Sequence, residues 1–336
     1  MEKNSKIYIA GHRGLVGFAI WRSLQNKGYA NLTGKSHTEL DLLNPNAVRD
    51  FFDREQPEFV VLAAAKVGGI FANSEYRADF IYENLQIQQN VIGESFRHNV
   101  KKLLFLGSTC IYPGNAPQPI PESALLTGEL EKTNEPYAIA KIAGLKMCEY
   151  FNLQYGTNYI SVQPTNIYGP NDNFHLKNSH VLPAIVRKTY LAKCLKENNS
   201  AALERDLAKR PVKGSLSEHG IFADRLELWG TGEPLREFLW SEDMAEACVY
   251  CLENINYNDV KSHINIGTGK EISIAKLAAL VANTVNYDGK IVFDGSKPNG
   301  TMRKLCDVSK IHSLGWQHKI EIETGVKKLY EWYLEK

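Results

Sequence analysis

No apolar run in this 336-residue chain approaches the roughly 18 residues that a membrane-spanning helix needs. The longest, Phe59 to Ala65, has the length of a strand, and the mean hydropathy is −0.31. An excess of charge is missing too: 39 Lys and Arg against 38 Asp and Glu leave a net +1. That removes the basic footprint of a nucleic-acid binder while leaving room for a local basic pocket. Cysteine is scarce. Six residues without regular spacing fit reduced thiols in a cytoplasmic protein, not a disulfide framework. Cys248 and Cys251 have CxxC spacing but sit in a helical pattern with no second pair and no histidine cluster, so they are read as core-facing and no metal is expected. The opening MEKNSKIYIAG passes from polar residues straight into a β-like run, without the apolar stretch or cleavage site of a secretory signal. Repeats and low-complexity segments are also absent.

What is present is an ordinary globular composition, 43% hydrophobic and 23% charged, in a chain long enough for a large α/β unit with an appended lobe. Short continuous apolar runs at Lys6–Ala10, Phe59–Ala64 and Lys102–Leu106 alternate with amphipathic stretches, of which Asp79–Asn99 has clear helical spacing. Buried strands separated by helices mean βαβ units and a parallel sheet covered on both faces. After Ile160–Val162, Pro164, Gly169, Pro170 and Pro183 punctuate a stretch rich in Asn and His that reads as loop. Helices are expected at Ala201–Lys209, Asp243–Glu253, Ile274–Asn286 and Glu323–Leu334, with strands near 226–229, 262–267 and 290–294. The fold expected is a Rossmann-type doubly wound parallel sheet with a smaller mixed α/β C-terminal substrate lobe. Residues 1–180, with a returning segment near 235–270, form the dinucleotide-binding half; 181–234 and 271–336 form the lobe, with an insertion at 194–224.

Chemistry enters first at Gly11-His12-Arg13-Gly14-Leu15-Val16-Gly17, directly after a strand and opening a helix. The first glycine permits the tight turn, the second lets the backbone approach a pyrophosphate at the positive helix N-terminus, and the third allows close helix–strand packing. Where an acidic residue would grip the 2′-hydroxyl of NAD, the chain reads Thr33-Gly34-Lys35-Ser36-His37, with no carboxylate before Glu39. Lys35 and Arg13 suit a 2′-phosphate, so NADP(H) is the expected cofactor; as solvated surface charges they would carry no such meaning.

A second constellation joins Ser108, at the end of a strand, to Tyr137 and Lys141, one helical turn apart on one face. A nearby ammonium is expected to lower the phenol's pKa, and Lys141 can also hold the nicotinamide ribose. Tyr137 can then give a proton to a carbonyl oxygen as hydride arrives, with Ser108 bonding the same oxygen.

With these motifs in place, the chain resembles the extended short-chain dehydrogenase/reductases, and within them the branch that epimerises and reduces GDP-4-keto-6-deoxy-mannose to GDP-L-fucose. Besides the glycine turn, the resemblance rests on LAAAKVGGI (62–70), LLFLGSTCIYP (103–113), NEPYAIAKIAG (134–144), PTNIYGPNDNFH (164–175), WGTGEPLREFLW (229–240) and SKPNGTMRK (296–304). It implies that Cys110 and His180 are an acid/base pair for epimerisation, although in isolation a cysteine or histidine so placed is more often structural. It extends the cofactor cradle to Leu106, Gly107, Pro164, Asn166, Ile167 and His180. It implies a GDP-sugar substrate held by Lys188, Trp229, Arg236, Lys290 and Lys304, and a homodimer formed through parts of 79–99 and 135–155.

Two departures stand out. Lys188 occupies a place where the family pattern leads one to expect arginine, and forty residues separate it from Trp229, more than in the shorter members. They keep open a second substrate, a GDP-4-keto-6-deoxy-heptose reduced at carbon 4 with or without epimerisation. A non-catalytic NADP sensor is the third reading, against which the joint presence of Ser108, Tyr137 and Lys141 counts.

Overall fold

The computed structural model describes residues 1–336 apart from Pro298, which lies in the SKPNGTMRK match, and describes only the backbone of Ile70. The first half runs β1 (Ile7–Ala10), α1 (Leu15–Asn26), β2 (Leu32–Thr33), α2 (Pro45–Glu55), β3 (Phe59–Leu62), α3 (Ile70–Glu75), α4 (Arg77–Arg97), β4 (Lys102–Leu106), α5 (Glu135–Tyr155) and β5 (Tyr159–Pro164). After β6 (Asn166–Tyr168) come α6 (Val181–Lys196), α7 (Ser200–Lys209), β7 (Arg225–Trp229), β8 (Leu235–Arg236) and β9 (Phe238–Trp240). The chain ends with α8 (Ser241–Asn254), α9 (Tyr257–Val260), β10 (Ile264–Ile266), β11 (Ile272–Ser273), α10 (Ile274–Val285), β12 (Lys290–Asp294), β13 (Arg303–Lys304), α11 (Ser309–Ser313) and α12 (Ile322–Glu335).

Six strands form the main sheet in the order β10-β5-β4-β3-β1-β2, every pair parallel. Alternation along β1 sends Ile7 and Ile9 into one core and Tyr8 and Ala10 into another. The first core is closed by α1 and α8, the second by α2, α4 and α5, so the sheet is covered on both sides. The chain leaves β1 for β2 on one side and returns to β3 on the other. A crevice at the strands' C-terminal ends is the geometric consequence of that reversal.

A third core, built on Leu182, Val186, Leu228, Leu277, Val281 and Leu329, belongs to the lobe. Helix α6 emerges where the sequence reads as loop. Pro183 falls in its first turn, where the N–H would lack an intrahelical partner anyway. The charged stretch that follows is pinned to this lobe. Buried Asp206 accepts from Arg187 Nε (3.0 Å) and Nη2 (2.8 Å), from Arg210 Nη1 (3.2 Å) and from the Tyr333 hydroxyl. Cys248 and Cys251 are fully buried in α8, packed into the first core.

Candidate active site

Strand β4 delivers its last residue to the sheet edge, and the chain turns there through Gly107. A Cβ at Gly107 would come within 1.9 Å of the Gln163 side chain, so any larger residue would displace that amide. Gln163 Oε1 accepts from Ser108 N at 2.8 Å, and Ser108 Oγ accepts from Cys110 N at 3.2 Å, opening a short 3₁₀ turn over 109–111. Cys110 is thereby displayed beside Ser108.

Tyr137 lies in the first turn of α5 and Lys141 one turn on. Lys141 is buried, and its Nζ donates to the Leu106 carbonyl at 2.7 Å and lies 5.8 Å from the centre of the Tyr137 ring. Phe80 meets that ring edge-on at 6.2 Å. Burial pulls the Lys141 pKa down to about 7. Burial also raises the Tyr137 pKa, helped by nearby Cys110 and opposed by a hydrogen bond with Ser108. The sequence-based expectation that Lys141 depresses the phenol is therefore corrected: loss of water outweighs the neighbouring amine, and Tyr137 stays protonated, as a proton donor must.

His180 closes the opposite side as the residue before α6. Solvent reaches it through the cleft, yet the protein crowds its ring and burial lowers its pKa, which leaves a neutral imidazole able to accept a proton. Asn166 Nδ2 donates to the Glu237 carbonyl at 2.8 Å.

A single cleft of about 1070 Å³ gathers these groups. Gly11, Gly14, Leu15, Val16, Gly17 and Lys35 line one end. Leu106, Gly107, Ser108, Cys110, Tyr137, Lys141, Pro164, Asn166, Ile167 and His180 line the middle, and Lys188, Trp229, Arg236 and Lys304 the lobe side. At the glycine end the turn packs too closely for side chains: Gly11 has φ +84° and sits against the Ala64 backbone, and a Cβ on Gly17 would collide with the Gly11 carbonyl. The first turn of α1 has no side-chain cap, leaving its N–H groups for a phosphate.

Three candidates stand outside that lining. His12 turns inward, its ring 5.5 Å from Trp21. Arg13 is exposed on the turn, near enough to Lys35 that both hold the Glu39 carboxyl below its ordinary pKa, behind hydrogen bonds from Ser36. Lys290 is the clearest correction. It begins β12 beside Arg225, whereas Trp229 pairs with Asp294 at the other end, about 13 Å along the strand.

The lobe side is cationic. Burial pulls the Lys188 pKa down to about 8, and its ammonium has no hydrogen-bond partner among the described residues. Such a group calls for an anionic ligand. Trp229 is half exposed, open to stacking. The sequence pointed to neither Gln163, which orients Ser108, nor Glu237, fully buried, which accepts from Thr268 N (2.6 Å), Gly269 N (2.7 Å) and Cys306 N (3.0 Å). Nor did it place Pro211, Val212, Lys213, Glu218 and His219 in the cleft wall, which they line.

A parallel sheet with a glycine turn and a Ser–Tyr–Lys set at its C-terminal edge defines a dinucleotide-dependent oxidoreductase or epimerase. The family model described as "NAD dependent epimerase/dehydratase family" matches residues 7–267, and the chain belongs to that family. It is 53% identical to "Putative GDP-L-fucose synthase 2" of Arabidopsis thaliana over 335 residues, covering 100% of this chain and 93% of the relative. It is 48% identical to "GDP-L-fucose synthase" of Escherichia coli K12, covering 98% and 97%. Among solved structures, "MlghC, GDP-mannoheptose C4 reductase from Campylobacter jejuni with NADP bound" superposes with a TM-score of 0.88 at 47% identity, over 99% of each chain.

Proposed function

We propose that this chain converts GDP-4-keto-6-deoxy-D-mannose to GDP-L-fucose by epimerisation at carbons 3 and 5 and reduction at carbon 4 with NADPH. The observation that carries the reading is the convergence of Ser108, Tyr137, Lys141, Cys110 and His180 on one cleft whose far side holds Lys188, buried and without a partner among the described residues. NADP(H) is the cofactor: the Gly11–Gly17 turn takes its diphosphate, Lys35 and Arg13 its 2′-phosphate, and Lys141 its nicotinamide ribose. When bound, it supplies the hydride.

The protons on carbons 3 and 5 lie α to the ketone, so their loss gives an enolate whose oxygen Ser108 and Tyr137 stabilise by hydrogen bonds. Neutral His180 takes a carbon-bound proton, and the Cys110 thiol gives one to the opposite face. In the reduction Tyr137 donates the proton to oxygen 4 and Ser108 orients that oxygen. Lys188 and Arg236 hold the diphosphate, and Trp229 stacks on guanine.

The similarity to a heptose reductase, together with the 211–219 loop in the cleft wall, favours one second reading, a GDP-4-keto-6-deoxy-heptose reduced at carbon 4. NADPH consumption with each keto sugar decides between them. A higher kcat/KM for the deoxyhexose upholds the first reading; a higher value for the heptose replaces it.

The enzyme works in the cytoplasm as a homodimer. Its six free cysteines suit a reducing compartment, and Tyr82, Ile139, Tyr150 and Leu153 expose apolar surface on the paired helices α4 and α5. No helix among the described residues is long and apolar enough to cross a membrane.

A further inference from the structure

The cations of the lobe side are not equivalent. Among the described residues Lys188 has no hydrogen-bond partner, and the Arg236 guanidinium meets only the Leu235 and Asn299 carbonyls, at 2.8 and 3.4 Å. Lys304 is different: its ammonium donates to Cys110 Sγ at 3.4 Å. The position is built. Lys304 pairs in register with Arg236 across β13 and β8. The next residue, Leu305, donates to Gln118 Oε1 at 2.8 Å and accepts from Ile120 N at 2.7 Å, and Cys306 N is held by Glu237 at 3.0 Å. Glu131, the nearby carboxylate in the cleft, is occupied by Thr133 and by Asn134 N, so it does not draw Lys304 away.

We infer that Lys304 serves the Cys110 sulfur and not the substrate diphosphate, as a positioning residue for the epimerisation half of the reaction. This rests on the proposed role of Cys110. When the thiol gives its proton to the sugar carbon, the S–H bond breaks, its electron pair stays on sulfur and a C–H bond forms. The ammonium then balances the charge left on sulfur and keeps Sγ aimed at the carbon. The other half of the exchange, a C–H bond broken with its proton passing to His180, leaves Lys304 unchanged.

The test uses wild type, Lys304→Met and Lys304→Arg, each saturated with NADP, with iodoacetamide as the probe near neutral pH. The other five cysteines are buried, so peptide mass analysis of the carboxamidomethyl group reads Cys110. Alkylation is expected to slow roughly tenfold in Lys304→Met and much less in Lys304→Arg, with GDP affinity by calorimetry within about twofold of wild type. Unchanged alkylation in Lys304→Met overturns the inference, and a loss of GDP affinity alongside it returns Lys304 to the diphosphate. Neither readout needs turnover. A failure of the epimerase reading registers separately, as wild type that brings no solvent deuterium into GDP-4-keto-6-deoxy-mannose.

Discussion

On the sheet side of the cleft the reacting groups are held by bonds already made: Ser108 N on Gln163, Lys141 on the Leu106 carbonyl, Tyr137 on α5 against Phe80. On the lobe side Lys188 is buried with no partner among the described residues, and the loop over 211–219, which lines the cleft, follows a helix that Asp206 ties to Arg187 and Arg210. One wall is organised before any ligand arrives; the other carries charge that a ligand must complete. The first arrangement suits chemistry, which needs fixed proton donors, and the second suits anion binding, where the ligand itself supplies the missing counter-charge.

The sharpest way to break this contrast is on the sheet side. Tyr137→Phe removes the proton donor while keeping the ring, and NADPH oxidation measured by absorbance should fall by about 10³-fold, within the range of general-acid effects. A variant that turns over at the wild-type rate refutes the assignment.

On the lobe side the largest change is structural. Asp206→Ala strips a buried ion pair of its carboxylate and should cost about 3–5 kcal/mol in urea unfolding. A loss under 1 kcal/mol, taken as roughly the worth of an exposed pair, would show that the knot does not hold the loop.

Lys188→Met comes next, with an expected fall in GDP affinity of about tenfold. The wild type carries the sign in its pH dependence. Burial lowers the ammonium's pKa to about 8, so in the free protein its charge is present below that pH and lost as pH rises through it. GDP binding should therefore weaken above pH 8 in the wild type, and calorimetry should find that step missing in Lys188→Met. The smallest effect is at the cofactor end, where Lys35→Ala should raise the KM for NADPH roughly fivefold and leave that for NADH nearly unchanged. Equal changes for both would place Lys35 away from the 2′-phosphate.

The same contrast marks how far the sequence could be read. The sheet side was legible because its elements obey local rules. The runs at 7–10, 59–62 and 102–106 are continuous and apolar, the glycine turn has a fixed spacing, and Tyr137 and Lys141 share a helix face. The lobe side resisted. Helix α6 is buried on nearly every face, Arg187 and Lys188 included, and so shows no polar stripe to set its period. Helix α2 was not among the expected elements, although Asn44 caps it and Pro45 opens it. Gln163 and Glu237 act across 55 and 31 residues on groups no pattern links to them. Lys290 misled because a position matched through a family resemblance says nothing about which end of a strand faces the cleft. The Tyr137 pKa misled because spacing reports the neighbouring amine and not the loss of water.

The most direct test of the central claim, that one cleft both moves the α-protons and reduces the ketone, is incubation of the wild type with GDP-4-keto-6-deoxy-mannose and NADPH in heavy water, followed by NMR of the product. The account predicts a reduced sugar with deuterium at carbons 3 and 5 and hydrogen from NADPH at carbon 4. A reduced product without deuterium at those two carbons would contradict it.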